Sequence, residues 1–130
     1  MRLDLDLDLV REILLRLESL EGAVTDANPR FEGTEPRVVG YHVWLLAEAG
    51  LVVLRQSTVG VSFRVTPEGT VSHLTWDGHQ FCALCREQSI WEAFTQNLAY
   101  EWSTFEIAKW WLEREVKARL AATDGATGDG

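Results

Sequence analysis

The sequence predicts a winged-helix-like α+β fold, for three reasons. Residues 41–51 have the apolar spacing of a helix, and Gly50 can end that helix. Residues 74–81 have the pattern of a strand end that turns into a new helix, and the stretch between the two segments is rich in β-formers and turn residues. The predicted order is an N-terminal helix, a central helix, a small antiparallel β-wing and two C-terminal helices.

The first helix is expected near residues 6–21. Apolar residues from Val10 to Leu20 recur at helical spacing, whereas the leucines of residues 3–9 alternate with aspartate like a strand. We favour the longer, helical pattern, with an aspartate at position 4 or 6 as its N-cap.

The central helix is predicted to begin after a cap at Thr34 and to end at Gly50, and a loop over residues 22–34 precedes it. This loop leaves hardly any room for the separate helix that precedes the recognition helix in a helix-turn-helix motif. Apolar and polar residues then alternate over residues 61–65, and a proline-containing turn leads to residues 70–74. We therefore expect a sheet of two or three antiparallel strands.

Two helices are predicted to complete the chain. Thr75 can cap the third helix, whose apolar side continues to about residue 99. As an alternative, a break near residues 88 and 89 divides this helix. Ser103 and Glu106 form a capping box for the fourth helix, which should end near Leu120.

Length and composition fit one domain with a substantial core, since 46% of the 130 residues are hydrophobic. We expect this domain to span residues 1–120 and a disordered tail to cover residues 121–130. No apolar run approaches the roughly 18 residues that cross a bilayer, and the N-terminus is acidic. We therefore expect a cytoplasmic protein that does not enter a membrane.

The chain is acidic, with a net charge of −8 that is spread along its length. Residues 35–80, which hold the central helix and the wing, contain three basic and four acidic side chains. Non-specific affinity for nucleic acid comes mainly from lysine and arginine side chains that neutralise phosphates. The composition therefore handicaps DNA binding without excluding it.

Two motifs resemble those of a known family. Residues 41–51 read Tyr-His-x-x-Leu-Leu-x-x-Ala-Gly-Leu and residues 74–81 read Leu-Thr-Trp-x-Gly-His-x-Phe, after Asp-x-Asp-Leu-Val-Arg-x-Ile-Leu at residues 6–14. Over most of residues 2–95 the chain resembles a bacterial and phage family of small cytosolic proteins of unknown function, often encoded in prophages and mobile elements. The resemblance implies a winged-helix-like fold and such a genetic context, and it implies no reaction.

The same stretch is more loosely similar to the recognition helix and wing of bacterial winged-helix transcriptional regulators. This similarity makes the outer face of the central helix and the wing the candidate DNA-contacting surface. Its candidate residues are Arg37, Tyr41 and Trp44 of the helix and Arg55 and Arg64 of the wing. The longer wing and the tryptophan-rich C-terminal helix depart from the regulators.

The tryptophans near the C-terminus form a second candidate surface. Trp102, Trp110 and Trp111 are candidates for binding a protein partner, because aromatic side chains are enriched at the centres of interfaces. Adjacent residues on a helix cannot point the same way, so at least one of Trp110 and Trp111 is expected outside the core. Homodimerisation through the fourth helix is the simplest form of such an interface.

Histidine and cysteine side chains near the two motifs include the types that zinc prefers: His42, His79, Cys82 and Cys85. Structural zinc sites normally draw ligands from two loops or knuckles rather than from one helix, so we favour reduced core cysteines and histidines bonded to the backbone. A redox role for the cysteines is disfavoured because Cys82 lies about two turns inside its helix. We predict neither a metal nor a cofactor.

No known catalytic motif accompanies the histidines. Asp77 is interpreted as a helix-start charge and His79 as a buried hydrogen-bonding side chain. Structural roles are assigned to the remaining motif residues, namely His42, Gly50, Thr75, Trp76, Gly78 and His79. We do not expect an enzyme.

Two functions from different classes follow as hypotheses. The first is a DNA-associated transcriptional regulator of phage or mobile-element type, which the scaffold analogy favours. The second is an acidic protein-binding module, a phage-encoded inhibitor or adaptor of a host protein that uses the tryptophan-rich C-terminal helix. The charge and the missing helix favour the second, but on the scaffold analogy we prefer the regulator and keep the protein-binding module as the alternative.

Overall fold

The computed structural model of the chain describes residues 5–20, 25, 27–55, 69–97, 100 and 104–127. These residues form five helices and a two-stranded antiparallel sheet, which confirms the predicted α+β class and element order. The elements are α1 (Leu7–Glu18), α2 (Pro36–Glu48), β1 (Val52–Leu54), β2 (Val71–Leu74), α3 (Trp76–Cys85), α4 (Gln88–Thr95) and α5 (Phe105–Thr127). Among the described residues, no helix combines the length and the apolar composition needed to cross a bilayer.

The chain forms two compact units, residues 1–82 and residues 83–130. In the first unit, α1 packs against α2 and β2, and α2 packs against β1. In the second unit, α4 packs against α5. The prediction of a single domain over residues 1–120 stays a prediction.

Helix α1 begins at an aspartate cap, as predicted. The Asp6 carboxylate accepts hydrogen bonds from the backbone amides of Asp8 at 3.0 Å and Leu9 at 3.2 Å. These bonds satisfy two of the amides that the first turn leaves without helical partners. The apolar stripe of the helix is buried, with Ile13 and Leu14 fully enclosed.

Helix α2 begins one residue later than predicted, with Glu35 rather than Thr34 at the N-cap. Glu35 makes no side-chain capping bond, and Pro36 suits the first helical position because a proline has no amide hydrogen to satisfy there. The helix ends in a Schellman motif at Gly50, whose φ of 80° is left-handed. The Leu51 amide donates to the Leu46 carbonyl at 2.9 Å, which closes that motif.

The sheet consists of β1 and β2 in antiparallel register, with Val52 opposite Leu74 and Val53 opposite His73. The side chains of Val52 and Leu74 are buried, whereas Val53 and His73 face solvent. The predicted strand over residues 61–65 lies outside the described residues.

A loop residue that the sequence pattern did not single out binds the far edge of β2. The Asn28 side-chain amide donates to the Gly69 carbonyl at 2.7 Å, and its oxygen accepts from the Val71 amide at 2.8 Å. The Thr25 amide donates to the Ser72 carbonyl at 2.9 Å along the same edge. The loop before α2 therefore supplies partners that a third strand would otherwise provide.

The C-terminal helices differ from the prediction at their ends. The long third helix divides at residues 86 and 87, next to the alternative break that the sequence indicated. The predicted cap residue Ser103 lies outside the described residues, and the hydroxyl of Thr104 accepts from the Ile107 amide at 3.4 Å. Helix α5 continues to Thr127, through residues 121–127 that were predicted to be disordered. Alanine is the strongest helix former, and residues 121, 122 and 126 are alanines.

Candidate functional site

The two sequence motifs meet at Thr75, where the end of α2 is joined to the start of α3. The Thr75 hydroxyl donates to the Gly50 carbonyl at 2.6 Å and accepts from the Gly78 amide at 3.0 Å, and the Thr75 amide donates to the Leu51 carbonyl at 3.1 Å. A Cβ atom added at Gly78 would collide with the Leu51 carbonyl oxygen. Gly50, Thr75 and Gly78 therefore build one rigid joint in the first unit.

His42 is buried, and both ring nitrogens bond to the backbone. Its Nε2 accepts from the Asp6 amide at 2.8 Å, so its Nδ1 carries the hydrogen and donates to the Val38 carbonyl at 2.8 Å. This arrangement requires the neutral imidazole. Since both nitrogens are occupied, His42 ties the start of α1 to α2 and cannot ligate a metal in this conformation.

His79 differs from the prediction, because its side chain is exposed rather than buried. Both cysteines are fully buried, and the Cys82 thiol donates to the Leu14 carbonyl at 3.5 Å. Within the described ranges, no group of three or more His, Cys, Asp or Glu side chains could hold a metal ion. The four candidate zinc ligands are thus not brought together.

The outer face of α2 carries an aromatic pair with little positive charge around it. The rings of Tyr41 and Trp44 stack at 20° with centroids 6.4 Å apart. The Arg37 guanidinium lies 4.0 Å from the Glu35 carboxylate, and Glu48 is exposed at the far end of the helix. The helix face therefore holds one cation and two carboxylates.

The two predicted wing contacts add little to this face. Arg55 is exposed just after β1, and Arg64 lies outside the described residues. The structure thus brings Arg37, Tyr41 and Trp44 together on one side of α2. Among the described residues, this side of α2 is poor in the positive charge that phosphate binding needs.

The adjacent tryptophans of α5 point in different directions, as predicted. Trp110 is 54% exposed, and the Arg114 guanidinium lies 4.8 Å from the centroid of its ring. Trp111 instead packs against Phe94, with ring centroids 5.3 Å apart, so it belongs to the packing of the second unit. Trp102 lies outside the described residues.

The outer face of α3 carries an exposed aromatic side chain that sequence reasoning had treated as structural. Trp76 is 73% exposed and takes no part in the core. His79 and Gln80, one helical turn further on, are also exposed. Helical spacing relative to Gly78 indicates this exposed position. Gly78 contacts the core, and Trp76 lies about 200° around the helix from it.

Comparison with known proteins places the chain among sequences without an assigned activity. A family model described as "Hypothetical protein (DUF2513)" matches residues 4–102, a range that ends before α5. An uncharacterized protein of Haemophilus influenzae is 33% identical over 87 residues, which cover 66% of this chain and 70% of that protein. No solved structure matches the chain.

Proposed function

Because the chain belongs to the DUF2513 family of hypothetical proteins, which supplies no activity, we propose a function from its surfaces. The protein is a non-catalytic module that binds another protein, and Trp110 of α5 is an anchor of that contact. The single observation that carries this proposal is the outward position of the Trp110 ring beneath the Arg114 guanidinium.

The chemistry of this pair suits a protein interface. Tryptophan and arginine are the side chains most enriched among residues that dominate binding energy at interfaces. A tryptophan side chain can bury roughly 150–250 Å² of surface. More than half of the surface of Trp110 is exposed and free to be buried by a partner. Ile107, one turn earlier on α5, is a further exposed apolar side chain beside this anchor.

DNA-associated transcriptional regulation is the second candidate. The stacked rings of Tyr41 and Trp44, with Arg37 one turn before them, favour it because they lie on the helix that precedes the sheet. The carboxylates on the same face and the net charge of −8 weigh against it. With either function, we propose that the protein is cytoplasmic and that it forms a homodimer. We also propose that it has a phage or mobile-element origin.

Two measurements test these functions. The first is an electrophoretic shift titration with mixed duplex DNA at low salt, in which we expect no shift. A shift that Tyr41→Ala or Trp44→Ala abolishes would instead favour the regulator. The second is affinity capture from a bacterial lysate, in which we expect a specific protein that Trp110→Ala no longer retains. Lys109→Ala, an exposed change on the same helix, is the matched control and should retain it.

A further inference from the structure

We propose that the α3 face, formed by Trp76, His79 and Gln80, is a second docking surface and that its occupant is a lysine- or arginine-rich segment of a partner protein. The inference goes beyond the proposed function, because it concerns the first unit and does not involve α5. The α3 face also lies within residues 4–102, the part of the chain that the family model matches.

The Trp76 ring is presented by a rigid support. Thr75 anchors the start of α3 through three hydrogen bonds, and Gly78 lies directly against the Leu51 carbonyl. Phe81 and Cys82, on the opposite side of the helix from Trp76, are buried. A partner therefore meets a surface whose backbone is already ordered, which lowers the entropic cost of binding.

The exposure of Trp76 has no explanation in the packing of the described residues. At 73% it exceeds that of every other large apolar side chain in those ranges. His79 and Gln80 share its face at i+3 and i+4 and supply hydrogen-bonding groups around the indole. An aromatic anchor with a polar rim is the usual anatomy of a protein interface.

The charge of the first unit selects the occupant. The two segments that meet at Thr75, residues 45–51 and 74–82, carry two carboxylates, Glu48 and Asp77, and no lysine or arginine. The whole first unit holds seven basic and twelve acidic side chains, a net charge of −5. A cationic segment is attracted by this field, and its guanidinium or ammonium groups can stack on the Trp76 ring. A phosphate-rich ligand is repelled.

The proposal is tested by selecting, from a displayed library of random peptides, those that bind the full chain. The affinities of the recovered peptides are then measured by fluorescence polarisation for the wild type and for Trp76→Ala. We expect peptides of net positive charge that lose about tenfold or more in affinity for Trp76→Ala. Asp77→Asn should weaken the same peptides mainly at low salt.

Trp110→Ala is the matched control, since it removes an exposed tryptophan from the other unit. It should leave the affinity of these peptides unchanged, so a failure of the α5 contact and a failure of the α3 face give different results. Thermal unfolding checks that Trp76→Ala folds, and Trp76→Phe, which keeps an aromatic ring, should bind with intermediate affinity. Peptides that are neutral or acidic, peptides that bind Trp76→Ala as tightly as the wild type, or the recovery of no peptide would each overturn the proposal.

Discussion

Replacing Gly78 by alanine tests the joint between the two motifs, because two physical effects predict changes of opposite sign in the free energy of unfolding. Gly78 lies within α3, where alanine is favoured over glycine by about 1 kcal/mol on helix propensity alone. The new Cβ would collide with the Leu51 carbonyl oxygen, which is backbone and cannot rotate away. Steric overpacking of this kind costs about 1–3 kcal/mol.

The collision also strains the hydrogen bonds that Thr75 makes to Gly50 and Leu51. Each of these two bonds contributes about 1 kcal/mol, so the net expectation for Gly78→Ala is a loss of about 3 kcal/mol in the free energy of unfolding. Urea unfolding followed by circular dichroism measures this loss.

Gly69→Ala is a matched control, because its new Cβ would meet only the end of the Leu54 side chain, at 2.8 Å. A flexible side chain can shift at lower cost, so this variant should lose clearly less stability than Gly78→Ala. A Gly78→Ala protein that is as stable as the wild type, or more stable, would refute the steric reasoning.

Three further predictions concern stability and are checked by the same urea unfolding. His42→Ala should lose about 3 kcal/mol because removal of the buried ring leaves a cavity and breaks its bonds to the Asp6 amide and the Val38 carbonyl, whereas His79→Ala should change stability by less than about 0.5 kcal/mol; equal effects would contradict the assigned positions of the two rings. Asn28→Ala should lose about 2 kcal/mol, and Asn28→Asp should lose at least as much, because a carboxylate oxygen would then face the Gly69 carbonyl oxygen; no loss in either would mean that the loop does not hold β2. Trp111→Ala should lose about 3 kcal/mol because Trp111 packs against Phe94, while Trp110→Ala should lose under about 1 kcal/mol because Trp110 is exposed. A larger loss for Trp110→Ala would contradict these two positions.

Local signals in the sequence predicted the features that depend on neighbouring residues. The Asp6 cap, the glycine end at Gly50 and the start of α3 after Thr75 each follow from a few adjacent side chains. The Thr34 cap was wrong by one residue, since Pro36 imposes the first helical position more strongly than a hydroxyl does. The order of helices and strands follows from these signals together with hydrophobic spacing.

Contacts between distant residues were not visible in the sequence. Asn28 reaches partners 41 and 43 residues further along the chain, and no local pattern encodes that pairing. The motif predicts a structural role for Trp76 and His79, because a motif does not reveal which side of a helix each of its residues occupies. The outward position of Trp76 depends on the contact between Gly78 and Leu51, which are 27 residues apart in the chain.

The hydrogen on His42 Nδ1, which is bonded to the Val38 carbonyl, gives this fold a built-in spectroscopic reporter. An imidazole hydrogen that a carbonyl holds inside the protein exchanges slowly with water and gives a proton resonance of its own. Transient separation of the first helix from the second would expose the ring and speed that exchange, even while the remaining helices stay intact. Comparison of this signal with the exchange of backbone amides inside the second helix therefore distinguishes fraying at the N-terminus from cooperative melting of the whole unit.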